Sequence, residues 1–246
     1  MKKRDIKNLA AFIVTLIYVS ACQAPTDPLR DSPHPDSADE TNESISHGYV
    51  EGVTPSNIDS TERTYPVIQA DWDGPGGDKR WLGWNLGATK APESINDASP
   101  ESAGWYFQFN HRQGIFPAVL NDEKVTQHQP GPVTGPQQPE LDSDWIDEDP
   151  CQNLLGDRWR LPTELEWKAV AEANAASILN LHLGGYILGN ISFLSELGTQ
   201  GFYWSSTQGL GANSGVFANL DSNLKITSSN NEMLMWAGAP LRCIED

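Results

Sequence analysis

Three features of the chain predict an α+β fold. There is one strongly signalled helix, there are many short aromatic or apolar runs broken by turn residues, and strand does not alternate with helix. The helix signal lies at Pro162-Thr163-Glu164-Leu165-Glu166. Thr163 and Glu166 have the spacing of a capping box, in which the threonine hydroxyl accepts from the Glu166 amide and the carboxylate accepts from the Thr163 amide. Pro162 disfavours helix at Leu161, which sharpens the boundary. The periodicity predicts a helix from Glu164 to about Ala176 that buries Leu165, Ala169 and Ala173, flanked by Trp167 and Val170.

The strands follow from composition and punctuation. Thr64–Gln69 and Arg80–Leu86 read as a strand and its return, joined through the glycine-rich turn Asp71–Lys79. Gly104–Phe109 is a third short aromatic strand. After the helix come Leu181–Leu188, Phe202–Ser206, Gly215–Leu220, Leu224–Ser228 and Met233–Ile244, with Asn213-Ser214-Gly215 and Asn230-Asn231 as turn residues. This is a meander of strands, which places the folded domain at residues 61–246. Residues 121–144 break the pattern: His128–Pro139 holds four prolines and two glycines without periodicity, and is expected to be an exposed insertion.

The N-terminal segment carries a different signal. Met1-Lys2-Lys3-Arg4 precedes an apolar run from Leu9 to Val19, too short to span a bilayer. Val19-Ser20-Ala21-Cys22 then resembles a bacterial lipobox, which implies that residues 1–22 are a lipoprotein signal peptide and that Cys22 carries the lipid. Such an anchor ties a protein to a bilayer without crossing it. Residues 23–60 are rich in Asp, Glu, Ser, Thr and Pro and are expected to form a disordered acidic tether.

Charge and cysteine count bound the function. Residues 1–22 hold four basic side chains and one acidic one, so their removal takes the net charge from −17 to −20. That excess of carboxylates argues against nucleic acid, whose phosphates require basic patches. It also argues against binding of anionic lipid heads by the protein itself. Of three cysteines, Cys151 and Cys243 remain beyond the anchor. An even pair in an exported chain fits a disulfide, with two free thiols as the alternative. A bridge would close a loop of about 90 residues, worth roughly 4–5 kcal/mol in the chain-entropy account.

Five blocks then resemble one family. Trp81-Leu82-Gly83-Trp84-Asn85-Leu86-Gly87-Ala88-Thr89 is similar to the W-M-D-R-N-L-G-A-T opening of the FISUMP family, the Fibrobacter succinogenes major paralogous domain. Gly104–Phe109 resembles its G-L-Y-Y-Q-W. Asp149-Pro150-Cys151, with Trp159–Thr163 and Glu166-Trp167, resembles P-C-P-x-G-W-R-x-P-T-x-x-E-W. Tyr203–Thr207 and Leu241–Ile244 resemble Y-W-S-S-T and the terminal V-R-C-V. The resemblance covers roughly residues 64–246. It implies a C-type-lectin-like fold, pairing of Cys151 with Cys243, and a surface lipoprotein suspected of adhesion. Two departures bear on loop geometry: the six residues 152–157 follow the cysteine before Arg158 and Trp159, and the proline-rich insertion precedes it.

Candidate chemistry is sparse. The related formylglycine-generating enzymes use an active-site cysteine pair, whereas both domain cysteines here occupy the structural positions. Ser205-Ser206 lacks a Gly-x-Ser-x-Gly elbow, and His111 and His182 have no triad context. No zinc-binding spacing is present. The Glu-Pro-Asn and Trp-Asn-Asp sugar motifs of calcium-dependent lectins are absent. Asp142, Asp144 and Asp147, like Asp71, Asp73 and Asp78, could chelate calcium, but without an EF-hand spacing the solvated acidic loop is the better reading.

The expected protein is therefore a non-enzymatic binding or adhesion module on the bacterial outer membrane or cell surface, with no cofactor. Its ligand is a glycan or a surface protein. A structural tip or accessory subunit of a surface fibre is the alternative, and an enzyme ranks last. Contact is expected around Gly209–Gly215 and Ser228–Glu232, with Trp84, Asn213, Asn230, Asn231 and Trp236 as candidate ligand-binding residues.

Overall fold

Two adjoining aromatic cores, separated by strands whose successive side chains enter one core and then the other, organise the folded unit, Thr41–Asp246. The computed structural model describes residues 43–48, 62–115, 117–120, 124–127, 149–188, 193–211, 214–227 and 232–246, with the backbone alone at 117–120, 124–127 and 193. In chain order the strands are β1 (Ser44–His47), β2 (Arg63–Gln69), β3 (Arg80–Leu82), β4 (Tyr106–Gln108), β5 (Pro117–Leu120), β6 (Lys124–Gln127), β7 (Trp159–Arg160), β8 (Tyr186–Leu188) and β9 (Phe193–Ser195). They continue as β10 (Gly201–Gln208), β11 (Ser214–Leu220), β12 (Ile226–Thr227), β13 (Glu232–Leu234), β14 (Gly238–Pro240) and β15 (Ile244–Glu245). The helices are α1 (Pro100–Ala103), α2 (Pro150–Leu155) and α3 (Glu164–Glu172).

The architecture is mostly antiparallel sheet with few helices. One sheet runs β1-β2-β3-β15-β7, a second joins β10, β11, β12 and β13, and a third runs β4-β14-β8-β9. The β5–β6 hairpin stands as a separate pair.

Alternation explains why the central strands read as apolar on both faces. In β10, Phe202 and Trp204 enter the core that holds Trp105, Phe107 and the two cysteines, while Tyr203 enters the core of Trp81, Trp167 and Val170. The pleat sends neighbours to opposite faces, so a strand between two cores has no polar side. The same holds for Trp81 and Leu82 in β3 and for Cys243 and Ile244 at β15. Trp167 packs edge-on against Trp81, and Phe109 against Trp204. Both indoles of the pair Trp167 and Trp204 are satisfied, donating to the carbonyls of Trp204 and Phe107.

Pro66 lies in an interior strand, where proline is normally excluded for want of an N–H. Its carbonyl points towards β3, where it accepts from Gly83 N at 2.7 Å. The missing N–H therefore falls on the β3 side, and pairing with β1 loses nothing. Gly83 is required there, because a Cβ would stand 2.8 Å from Pro66 Cγ and 2.9 Å from its carbonyl oxygen.

Several sequence expectations change. The folded unit takes in β1, which lies inside the segment 23–60 expected to be a tether. Ile45 packs on the first core and His47 is buried, a period-2 pattern with one apolar residue in it. The rest of the expected tether and signal peptide, including Cys22, lies outside the described residues. The return strand ends at Leu82 rather than Leu86, because the chain leaves the sheet at Gly83 and Leu86 N instead donates to Leu241 O at 2.9 Å.

The main helix ends at Glu172 rather than Ala176: Asn174 adopts a left-handed φ of 53°, and Ala175 N turns back to Val170 O. Its buried face carries Glu166, Trp167, Ala169 and Val170, whereas Leu165 is 62% exposed and Ala173 is exposed. Within the expected insertion, residues 124–127 form β6, which pairs with β5 just before it, while residues 121–123 and 128–144 lie outside the described residues. Helix α2 was not expected.

Gly83→Ala is expected to destabilise the protein by about 1–3 kcal/mol, since the added methyl meets backbone on a strand it cannot leave. Urea unfolding of the two proteins measures this.

Candidate functional site

The stretch from Asp149 to Trp167, which holds α2, β7 and the start of α3, folds into a clamp with an open cleft beside it. Asp149 caps α2: its Oδ1 accepts from Cys151 N at 2.8 Å, and Pro150 follows at the first helical position, where a missing N–H costs nothing. Its Oδ2 accepts from Leu161 N at 2.8 Å, tying α2 to the end of β7. Burial raises the Asp149 carboxyl to about 6, against the pull of the Leu161, Cys151 and Gln152 amides and of Arg160.

The disulfide Cys151–Cys243 then joins α2 to the residue before β15, with a Cα–Cα distance of 5.7 Å. β15 pairs with β3 on one side, Ile244 opposite Trp81, and with β7 on the other, Ile244 opposite Arg160.

Arg160 completes the clamp. Its Nη1 and Nη2 donate to Glu166 Oε2 and Oε1, both at 2.8 Å, in a two-pronged pair, and Nη1 also reaches Leu161 O at 3.0 Å. Nε donates to Asp246, whose carboxylate also receives Lys79 Nζ at 3.0 Å. Glu166 Oε2 accepts from Thr163 N at 2.7 Å, so the carboxylate that closes the capping box also anchors the guanidinium. Burial alone would raise the Glu166 carboxyl. The hydrogen bonds from Arg160 and Thr163 outweigh it and hold the group below its ordinary range. Arg160 is shifted upwards, first by Glu166.

A cleft of about 610 Å³ opens between this clamp and the end of β10. Asp149, Gln152, Asp157 and Asp246 line it together with Ser206, Thr207 and Gln208, while Trp159, Arg160 and Leu161 form its base. The β10 wall is held in place by two hydrogen bonds: Ser206 N donates to Pro162 O at 2.8 Å, and Glu164 N donates to Thr207 Oγ1 at 3.0 Å. Its lining is evenly divided between polar and apolar surface and includes three carboxylates, Asp149, Asp157 and Asp246. Trp159 is only 2% exposed, so its ring offers no platform for stacking.

The expected contact loops meet in part. Glu232 accepts from Leu210 N, Gly211 N and Ser214 Oγ, at 2.6, 3.0 and 2.6 Å, and so joins the start of β13 to the loop after β10. Gln208 links that loop to the cleft. Trp84 is half-buried against the first core, and Trp236 is half-buried with its carbonyl accepting from Gln108 Nε2 at 2.7 Å. Asn213, Asn230, Asn231, Asp142, Asp144 and Asp147 lie outside the described residues. Among the described residues no group of three or more His, Cys, Asp or Glu side chains is placed to hold a metal, and Asp71, Asp73 and Asp78 are all exposed.

Two buried groups shape the far side of the same junction. Arg242 is fully buried and donates to Leu82 O at 2.8 Å, Asn85 Oδ1 at 3.0 Å and Asn180 O at 3.3 Å. Burial lowers it to about 10, so it stays charged at neutral pH. His182 is also fully enclosed, and neither ring nitrogen meets a hydrogen-bond partner among the described residues. Burial, then the Arg242 charge, push it down to about 4. Its neutral form is the folded one, so stability is complete above 6.5 and lost as pH falls from 6.5 through 4. Asp149 acts in the opposite sense, with stability lost as pH rises from 3.8 through 6.

Cys151, Cys243, Thr163 and Glu166 were expected from the sequence; Asp149 was weighed only as part of an acidic cluster and a family block, not as a helix cap, and Asp246 and Gln208 were not expected. Asp149-Pro150 is a helix-start signal that points to the cap. Comparison with known proteins finds no family model that matches the chain, and no curated protein or solved structure similar to it.

Glu166→Gln is expected to lower stability by about 1–2 kcal/mol at neutral pH, a figure reduced for the partial exposure of Arg160. The group's folded value is depressed, so its contribution is present above 4.5 and lost as pH falls through the folded value. The gap between variant and wild type should therefore close in acid, and chemical unfolding over a pH series measures it.

Proposed function

We propose that the chain is a bacterial surface lipoprotein anchored through Cys22, whose folded unit is a FISUMP-type, C-type-lectin-like domain acting as a non-enzymatic binding or adhesion module. The lipobox supports the anchor. Among the described residues no helix is long and apolar enough to cross a membrane. Five ordered motif blocks and the bonded motif cysteines support the family reading.

The observation that carries the binding role is the open cleft on a covalently clamped frame. Exposed Gln152 faces it from α2, exposed Asp157 from the turn after α2, and half-exposed Gln208 from β10. Ser205, beside the cleft wall, has its Oγ donating to Val216 O at 2.9 Å, and His182, away from the cleft lining, is fully enclosed. The wall at Gln208 runs directly into the loop that Glu232 organises, so cleft and loop form one continuous contact surface for a glycan or a surface protein.

Glycan-array binding with and without calcium, paired with crosslinking on intact cells, tests this reading. A ligand or partner is expected, with affinity falling on the order of tenfold in Gln208→Ala, as for loss of one well-placed polar contact. Cys22→Ser is expected to abolish incorporation of a labelled fatty acid. A chain that binds no glycan under either condition and crosslinks to nothing contradicts the binding role. Continued labelling of the serine variant contradicts the anchor.

A further inference from the structure

The edge strand β1 is fastened by a histidine whose surroundings accept only its neutral form. His47 is 6% exposed, with Nδ1 2.9 Å from Gly48 O and Nε2 2.9 Å from Tyr65 Oη. Tyr65 Oη also accepts from Gly87 N at 2.9 Å. A carbonyl only accepts, so Nδ1 carries the proton and donates to Gly48 O. Nε2 is then the acceptor, and the Tyr65 hydroxyl donates to it. Every group in this chain is satisfied once.

A second proton on the ring breaks that pattern. Nε2–H and the Tyr65 hydroxyl become two donors facing each other in a buried site, which costs the desolvation of an unpaired group. Burial holds Tyr65 above its ordinary value, so it remains a neutral donor throughout. The ring lies 5.6 Å from Tyr65 and 5.7 Å from Trp105, centroid to centroid, which leaves it no route to another partner without undocking.

The charged groups around it are few. Arg63 of β2 stands 5.3 Å over the Trp105 ring and opposes a positive imidazole, while Glu62, which accepts from Ser46 Oγ at 2.6 Å, favours one. α2 also packs on β1, and Pro150–Leu155 carries no ionisable side chain, its cysteine being bonded. Burial, the largest influence, holds His47 below 6.5, with Gly48 and Glu62 opposing it and Arg63 adding to it.

We propose that His47 is an acid-sensitive latch: the neutral ring docks β1 on the edge of β2, and its protonation releases Ser44–His47. β1 is short and has a neighbour on one side only, so its local opening does not require the domain to unfold. What else holds it is the four-residue ladder with β2, Ile45 packing, the α2 contact, the exposed Ser46–Glu62 hydrogen bond and a half-exposed Glu43–Arg80 pair at 2.8 Å. The folded value of His47 is depressed, so docking is complete above 6.5 and weakens as pH falls through that folded value. Release uncovers the edge of β2 at Arg63 and Tyr65, the residues that face His47 and Ile45 in the docked register.

Hydrogen exchange on the full chain tests the latch. Between about pH 7.5 and about pH 5, corrected for intrinsic rates, the amides of Ile45 and His47, the two that face β2, are expected to lose on the order of tenfold in protection relative to those of β10 and β11. The β10–β11 reference removes the general acid weakening that His182 contributes. Equal retention at both pH values overturns the proposal. In His47→Gln the acid loss should vanish, and its persistence overturns the assignment to His47. Should that variant fail to dock at neutral pH, NMR titration of the His47 ring in the unaltered chain decides. Its midpoint must coincide with the loss of β1 protection, and separate midpoints overturn the latch.

Discussion

β15 is two residues long, yet it holds β3 on one side and β7 on the other, and the cysteine before it is bonded to α2. A strand of two residues cannot hold a sheet by its own ladder. Its position depends on the covalent link at Cys243 and on the ion pairs that flank it. Glu245 meets Arg80 at 2.9 Å and Arg158 at 3.1 Å, and Asp246 meets Lys79 and Arg160. Because Cys243 lies in one core and Ile244 in the other, this crossing also sets how the two cores meet. The cleft inherits its shape from the same point, since Asp246, Arg160 and Asp149 all belong to the crossing.

Buried charge marks where precision is required. Glu166 and Arg160 form a forked pair with every carboxylate oxygen engaged, so the cost of removing Glu166 from water is offset by geometry. Arg242 is treated differently: it meets carbonyls and an amide oxygen. Two segments distant in sequence, Leu82–Asn85 and the one at Asn180, are gathered around it. His182 and His47 are both kept neutral by enclosure, but only His47 sits on an element that can leave without taking the core apart.

What could be read in the sequence was local or was set by parity. The capping box at Thr163 and Glu166 needs only four consecutive residues, and it forms as expected. The disulfide followed from an even cysteine count in a chain expected to be exported. The buried face of α3 was misjudged because hydrophobic periodicity favours Leu165, whereas the pairing partner that turns Glu166 inward, Arg160, lies outside the helix. β1 was missed because Ile45 is a lone apolar residue in a polar run, and its docking depends on Tyr65, distant in sequence. The cleft was unreadable for a related reason: its walls come from residues 149–161, from 206–208 and from Asp246, and no local pattern signals that they meet.

The central claim is that the Cys151–Cys243 crossing holds the two cores and the cleft in register. Equilibrium unfolding of the Cys151→Ala/Cys243→Ala double variant against wild type tests it most directly. The expected loss is about 2–5 kcal/mol, with amide protection in β3, β7 and β15 weakened first. A variant within about 1 kcal/mol of wild type, with those three strands protected as before, would contradict it.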